Sequence, residues 1–199
     1  MVELGNSKIL DELAKATNDI SKGELIQLDA ISNKEISLKN LEDISYYKTG
    51  RLFEAAAKSG AILADADPKY IKNITNCSKN LGIVFQIKDD LLDYSENGAL
   101  IGKPVFQDLK EGKVTYPFYF ANKNANDSEK IKLESFLGKR NINQKTVFKL
   151  ISNLDGIRET EKLALQYLKK AAKAANSIDD KKISKEMIEL VNSAMYRKK

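Results

Sequence analysis

The stretch Gly82–Tyr94 constrains the fold most strongly, because it places acidic side chains inside an apolar helical pattern. The apolar residues that recur at helical spacing after Pro68 are Ile71, Ile74, Leu81, Phe85 and Leu92. The polar residues that share one stripe at i, i+3, i+4 and i+7 are Gln86, Asp89, Asp90 and Asp93. Like charges at this spacing repel each other, and the C-terminal end of a helix disfavours anions. The stripe therefore predicts a bound cation.

The chemistry of this stripe indicates which cation it would hold. Carboxylates without histidine or cysteine suit Mg²⁺ rather than Zn²⁺. Mg²⁺ held by one or two carboxylates usually completes its coordination with water and phosphate oxygens. The alternative is a solvated acidic face, because an isolated Asp-Asp-x-x-Asp motif does not distinguish the two.

Length and composition predict an all-α fold. The 199 residues, of which 42% are hydrophobic, are enough for one domain with a sizeable core. Only 3 Pro and 10 Gly interrupt the chain, and no stretch alternates convincingly over strand lengths. We find no internal repeat and no interdomain linker, so residues 1–199 are predicted to form a single all-α domain.

The net charge and the scarcity of histidine and cysteine limit the classes of function that the chain can have. The formal charge of +5 favours anionic partners, but no basic block carries interleaved aromatics, which argues against nucleic acid. The absence of histidine removes the commonest general base and zinc ligand. The single Cys77 excludes an intramolecular disulfide and fits a reducing cytoplasm. There is no apolar run of membrane-spanning length and no signal-peptide pattern, so we expect a soluble cytoplasmic protein.

Cap signals and periodicity predict the helices. The first three predicted helices span about residues 7–31, 37–63 and 68–95, and a fourth begins near residues 115–117. The remaining four span about residues 127–137, 143–154, 157–177 and 184–196. The predicted N-caps are Ser7, Ser37, Asp67, Asp127 and Ser184. The second helix would have a core stripe of Leu41, Ile44, Lys48, Leu52, Ala55, Ala56 and Ser59. Lys48 in this stripe either extends its charged end to solvent or directs it into a cavity towards phosphate.

A glycine-rich segment follows the acidic helix. Its helix-breaking residues are Gly98, Gly102, Pro104 and Gly112. Lys103 and Lys113 bracket the second part of this loop. Lysines flanked by glycine resemble a flexible clamp for an anion, although the spacing is not that of a Walker loop. Solvated loop lysines are the alternative.

Taken in order, these motifs resemble the trans-isoprenyl (polyprenyl) diphosphate synthases, nearest to long-chain members such as octaprenyl diphosphate synthases. The motifs are Gly23-Glu24-Leu25-x-Gln27, Lys48-Thr49-Gly50-x-Leu52, Gly82-x-x-Phe85-Gln86-Ile87-x-Asp89-Asp90-x-x-Asp93, Gly102-Lys103-Pro104 and Asp108-Leu109-x-x-Gly112-Lys113-x-Thr115-x-Pro117. The resemblance runs from about residue 7 to the C-terminus. It implies an isoprenoid-synthase-type helical bundle around a deep cavity, and a homodimer. It also implies a Mg²⁺-dependent transferase that condenses isopentenyl diphosphate with an allylic diphosphate, such as farnesyl diphosphate, to give a long-chain polyprenyl diphosphate.

The resemblance also implies roles for the acidic residues. Asp89, Asp90 and Asp93 correspond to the family's second aspartate-rich motif. The first aspartate of that motif binds Mg²⁺ on the allylic diphosphate, and the other two support metal and water.

Further roles follow for residues outside the acidic stripe. Lys48, Lys103 and Lys113 match lysines that hold or cover the allylic diphosphate. Thr49 and Gln86 match polar residues close to the reacting carbons. Lys48, Thr49 and Gln86 are therefore the candidate catalytic residues.

Two features depart from the family pattern. The family's first aspartate-rich motif, which belongs upstream of the first predicted helix, is absent, and Asp179-Asp180 lies on the wrong side to replace it. The chain therefore resembles the C-terminal two thirds of such an enzyme, an incomplete bundle that we expect to be inactive alone. The second departure is Phe106, where the family usually has glycine.

Two functions remain open. The first is a prenyltransferase represented by a fragment, and the second is a non-catalytic helical subunit or regulatory partner of such an enzyme. The chain keeps the second aspartate motif and its lysines, which favours the enzyme. The basic end Tyr196–Lys199 either closes over the diphosphates or is a solvated terminus.

Overall fold

The computed structural model describes residues 5–94 and 105–197, and its regular secondary structure within these ranges is entirely helical. The helices are α1 (Ser7–Asp29), α2 (Leu38–Ser45), a π-helical turn (Tyr46–Gly50), α3 (Arg51–Leu63), α4 (Pro68–Asp93), α5 (Gln107–Lys110), α6 (Tyr116–Asn124), α7 (Asp127–Glu134), α8 (Gln144–Asn153), α9 (Gly156–Asn176) and α10 (Lys181–Tyr196). The predicted all-α class is confirmed. None of these helices is long and apolar enough to cross a membrane.

Helix α4 is the element around which the others pack. The Asp67 side chain accepts a hydrogen bond from the Tyr70 backbone N–H at 2.9 Å, and Pro68 occupies the first turn, as the sequence predicts. The helix packs against α3, α9 and α10 and buries Cys77, Val84 and Ile87 completely. Its apolar face fixes the backbone that carries the acidic stripe.

Glycines bring the π-helical turn close to both α1 and α4. A Cβ atom added to Gly82 would lie 2.6 Å from the Gly50 Cα atom. A Cβ atom added to Gly23 on α1 would lie 2.8 Å from the Lys48 backbone nitrogen. Only residues without side chains permit these approaches, and they hold the turn that carries Lys48 and Thr49.

The π-helical turn corrects the predicted continuous helix 37–63. Leu41, Ile44 and Ala55 are buried as expected, but Leu52 is 56% exposed and Ala56 is also exposed. A π turn takes more residues than an α turn, so the side chains after it are rotated relative to an uninterrupted 3.6-residue pattern. The core stripe predicted beyond residue 50 was therefore wrong at these two positions.

The structure replaces three predicted caps. The observed N-caps are Asn6, Asn126 and Asp180 in place of Ser7, Asp127 and Ser184. Each of these upstream side chains accepts at least one hydrogen bond from a backbone N–H group of the first turn, and Asn126 forms a reciprocal capping box with Glu129. Ser184 lies inside α10 and is buried.

A buried ionic cluster attaches α1 to α3. Arg51 donates to the Glu12 carboxylate at 2.6 Å and to Asp19 at 2.8 Å. Lys58 donates to the other Glu12 oxygen at 2.5 Å. Burial raises the pKa of Glu12, but the hydrogen bonds from Lys58 and Arg51 outweigh burial and lower it. The cluster therefore stays ionised and holds α1 beside the π-helical turn.

Candidate active site

A cavity of about 130 Å³ lies between the π-helical turn, α4 and the segment that leads into α6. Its lining includes Lys48, Gln86, Asp89, Asp90, Asp108 and Lys113. Five of the residues selected from the sequence therefore lie together, with lysines and carboxylates around one space. Lys103 lies outside the described residues.

Lys48 is held by polar residues of α1. Its ammonium group donates to the Gln27 side-chain oxygen at 2.8 Å, and a Glu24 carboxylate oxygen lies 3.7 Å from it. Both partners belong to the motif Gly23-Glu24-Leu25-x-Gln27, for which the sequence alone indicates no role. The charged end of Lys48 thus lies at the cavity and is positioned from a second helix.

A chain of hydrogen bonds joins Thr49 to Asp90. The Thr49 hydroxyl donates to the Gln86 side-chain oxygen at 2.7 Å, and the Gln86 side-chain nitrogen donates to Asp90 Oδ1 at 2.9 Å. The backbone N–H of Tyr116 donates to Asp90 Oδ2 at 3.5 Å. Thr49, which lies on the π-helical turn, is thereby connected to Gln86 in the cavity wall.

The three aspartates of the acidic stripe occupy different environments. Asp89 is exposed, Asp90 is buried, and Asp93 is intermediate. Asp93 accepts hydrogen bonds from the backbone N–H groups of Gln107 at 3.0 Å and Asp108 at 3.3 Å, at the start of α5. Equal helical spacing therefore does not give these carboxylates equal access to the cavity, since only Asp89 and Asp90 line it.

Burial changes the acidity of two of these groups. It raises the pKa of Asp90 to about 7, against the opposing hydrogen bond from Gln86 and with the help of the nearby Asp108 charge. Burial likewise raises the pKa of Asp93 to about 6, although the Gln107 backbone N–H opposes it. A nearby cation would favour the ionised form of both carboxyl groups.

Asp89 has a partner from the end of the chain. The Arg197 guanidinium donates to Asp89 Oδ1 and to the Phe85 backbone oxygen, each at 3.0 Å, and stacks 3.7 Å from the centre of the Phe85 ring. The sequence gives Arg197 no periodic or motif signal that would identify this contact. This contact places the Arg197 guanidinium beside the first aspartate of the stripe.

Lys113 keeps its charge beside two acidic residues. Its ammonium nitrogen lies 2.6 Å from a Glu111 carboxylate oxygen and 3.5 Å from Asp108 Oδ1. Burial opposes the charged form, but Glu111 and Asp108 outweigh it and raise the pKa of Lys113. The cavity therefore has cationic groups at two points, Lys48 and Lys113.

The donor set of the cavity fits a hard divalent ion bound together with phosphate. In residues 5–94 and 105–197, no three or more histidine, cysteine or acidic side chains are grouped closely enough to form a complete metal site. The exposed carboxylate of Asp89 nevertheless offers oxygen ligands beside Asp90, and Lys48 and Lys113 offer contacts for phosphate. Mg²⁺ in proteins commonly uses this combination of few carboxylates and phosphate oxygens.

Phe106, which occupies a position where the family usually has glycine, adopts a glycine-like backbone conformation. Its φ of 59° is left-handed, a region that glycine adopts without strain. The buried ring packs edge-on against Tyr94, with 5.2 Å between ring centroids. The turn that precedes α5 therefore keeps a glycine-like backbone while the aromatic side chain fills the space beside the acidic helix.

Comparison with known families gives a match over most of the chain. The model of the family described as Polyprenyl synthetase matches residues 1–154. The chain is 42% identical over 121 residues to octaprenyl diphosphate synthase of Escherichia coli, covering 61% of this chain and 38% of that protein. It is 31% identical over 194 residues to a prenyl transferase of Cyanidium caldarium, covering 98% of this chain and 58% of that protein.

Solved structures agree with these sequence matches. The chain superposes with a TM-score of 0.92 on the crystal structure of polyprenyl synthase from Caulobacter crescentus, which was solved in complex with calcium and isoprenyl diphosphate. The sequences are 30% identical, and the match covers 100% of this chain and 62% of that chain. The chain thus spans less than two thirds of the length of these relatives.

Proposed function

Because the chain belongs to the polyprenyl synthetase family, we propose that it carries the allylic-diphosphate half of the active site of a long-chain polyprenyl diphosphate synthase. The observation that supports this proposal most strongly is that Lys48, Lys113, Asp89 and Asp90 line the same cavity. Cations and carboxylates around one space suit a ligand that is bound as a metal–diphosphate complex. The C. crescentus relative, solved with calcium and isoprenyl diphosphate, supports the same ligand class.

The chemistry of diphosphate departure accounts for the residue types. When an allylic carbon loses diphosphate, negative charge develops on the phosphate oxygens, and fixed positive groups stabilise it. Lys48 and Lys113 are placed for that role, and we propose that Lys103 joins them. Asp89, with support from Asp90 and Asp93, would hold Mg²⁺, which supplies further stabilisation of the leaving group as a Lewis acid.

The developing allylic cation requires a different environment. Oxygen dipoles stabilise positive charge, and side chains such as Thr49 and Gln86 supply them without the reactivity of a strong nucleophile. The hydrogen bond between Thr49 and Gln86 keeps both side chains in place. We further propose that farnesyl diphosphate is the allylic substrate and isopentenyl diphosphate the second substrate. We also propose a single-domain chain that forms a homodimer in the cytoplasm.

The 199 residues alone are expected to bind the allylic diphosphate without turning it over. The first aspartate-rich motif of the family is not present among them. One carboxylate cluster holds only part of the metal array, and groups that act as a unit lose nearly all activity when some are missing. Retention of the second motif and its lysines is what favours this assignment over a non-catalytic subunit.

The test is a calorimetric titration with Mg²⁺ and a non-hydrolysable allylic diphosphate analogue. We expect binding only when both are present, and we expect Asp89→Ala to abolish it. Asp11→Ala is the matched control, since Asp11 is exposed and pairs with the neighbouring Lys15 within its helix. Undiminished binding by Asp89→Ala would contradict the metal assignment, and no binding by the unmodified chain would favour the non-catalytic subunit.

A further inference from the structure

Asp90 differs from Asp89 in what surrounds its carboxylate. The residue is 6% exposed, whereas the side chain of Asp89 is 52% exposed. Both Asp90 oxygens accept hydrogen bonds from within the protein, Oδ1 from the Gln86 side chain and Oδ2 from the Tyr116 backbone. A buried carboxylate between two donors is suited to orienting its neighbours.

From these contacts we propose that Asp90 is a positioning residue that fixes the direction of the Thr49–Gln86 hydrogen bond. This inference rests on the proposed function of the cavity, in which Thr49 and Gln86 lie close to the reacting carbons.

Donor and acceptor chemistry determines the direction. An ionised carboxylate only accepts hydrogen bonds, so Gln86 must turn its NH₂ group towards Asp90 and its oxygen away from it. That oxygen lies 2.7 Å from the Thr49 hydroxyl oxygen. Two oxygens at this distance require a proton between them, and Thr49 is the member of the pair that has one. Because of Asp90, the Thr49 hydroxyl therefore donates its single proton to the Gln86 side-chain oxygen.

The direction of this bond matters for a cationic intermediate. With its proton used, the Thr49 hydroxyl has only lone pairs for any other neighbour, and lone pairs stabilise a developing positive charge. If the Gln86 amide were reversed, its NH₂ group would donate to Thr49, and the hydroxyl proton would be free to point elsewhere. A proton directed at the allylic group would disfavour the cation.

The substitution Asp90→Asn tests this reasoning, because it nearly preserves shape while adding a donor. The Tyr116 backbone N–H cannot change its role, so the new amide oxygen is expected to face it and the new NH₂ group to face Gln86. Gln86 must then present its oxygen to position 90, which reverses the bond to Thr49. We therefore expect a reversed amide rather than only a weakened contact.

The first readout is the side-chain amide signal of Gln86 in NMR spectra of protein labelled with ¹⁵N-glutamine, recorded at pH 8. The signal is identified by its loss in Gln86→Leu. Asp90→Asn should shift it, whereas the matched variant Asp89→Asn, which removes a charge one residue away, should leave it in place. An unshifted Gln86 signal in Asp90→Asn would overturn the inference.

The second readout is the affinity for Mg²⁺ with the diphosphate analogue. Asp89→Asn should lower this affinity by at least about tenfold, and Asp90→Asn should lower it by clearly less than Asp89→Asn does. An equal loss in both variants would make Asp90 a metal ligand and contradict the proposal. Absence of binding in the unmodified protein would refute the proposed function, while the Gln86 signal would still decide the role of Asp90.

A second variant covers the case in which Asp90→Asn does not fold. Thr49→Val removes the hydroxyl at the other end of the chain and leaves the Asp90 contact intact. The NH₂ group of Gln86 should remain bound to Asp90, so its protons should still exchange slowly with water. Fast exchange in Thr49→Val would mean that Thr49, and not Asp90, orients the amide.

Discussion

Raising the pH from 5 to 8 without divalent metal should destabilise the folded protein. Burial raises the pKa of Asp90 to about 7 and that of Asp93 to about 6, from an ordinary value of 3.8. Between the ordinary and the raised pKa, the folded protein keeps protons that the unfolded chain has released. The contribution of these two groups to the free energy of unfolding is therefore present at low pH and is lost as the pH rises through about 6 and 7.

The magnitude follows from the two pKa values. One pKa unit corresponds to about 1.4 kcal/mol, so over this pH range Asp90 contributes about 3 kcal/mol and Asp93 about 1 kcal/mol. These add to an upper bound of about 4 kcal/mol, which is a large part of the stability of a typical domain. The chain has no histidine, so few other groups titrate in this range. Mg²⁺ with diphosphate should reduce the loss by stabilising the ionised carboxylates.

The assay is urea unfolding followed by circular dichroism at pH 5, 6, 7 and 8 with a chelator present. The free energy of unfolding should fall across the series, and Asp90→Asn should remove the larger part of that fall. Asp11→Asn, which removes an exposed carboxylate, should leave the slope unchanged. A free energy of unfolding that stays constant or rises between pH 5 and 8 would refute the buried-carboxylate explanation.

Two further predictions concern the backbone contacts and the end of the chain. Gly82→Ala should lower the free energy of unfolding, measured with urea, by more than about 2 kcal/mol, because the added Cβ atom would lie 2.6 Å from the Gly50 Cα atom. In Gly60→Ala the added Cβ atom meets nothing within 4 Å, so this variant should be more stable by up to about 1 kcal/mol. Equal effects of the two would show that the π-helical turn has room to move. Arg197→Gln should strengthen Mg²⁺–diphosphate binding a few-fold in calorimetry, because a partly exposed ion pair to Asp89 contributes up to about 1 kcal/mol that binding must displace; weaker binding would instead make Arg197 a ligand contact.

Features encoded by neighbouring residues were predictable from the sequence. Asp67 followed by Pro68 identifies the start of α4, and Ser37 and Asn143 mark the starts of α2 and α8. Caps depend on hydrogen bonds within one turn, so a short window contains the required information. Errors such as Ser184 arose where an earlier Asp or Asn competed for the same role.

Features set by distant residues were not predictable in the same way. The π-helical turn depends on the approach of Gly50 to Gly82, which a single-helix pattern does not contain. Asp93 shares the stripe of Asp89, yet its partners come from α5, beyond the glycine-rich loop. The ordered motifs identified the cavity residues through the family resemblance, whereas their hydrogen-bond directions required the fold.

The most direct test of the proposed site is to locate the metal in a crystal. Crystals soaked with Mn²⁺ and the allylic diphosphate analogue should show an anomalous peak about 2.2 Å from a carboxylate oxygen of Asp89, a distance close to that of Mg²⁺–oxygen bonds. The same map should place the diphosphate oxygens within hydrogen-bond distance of Lys48 and Lys113. A metal peak away from α4, or diphosphate bound without contact to either lysine, would contradict the assignment of this cavity.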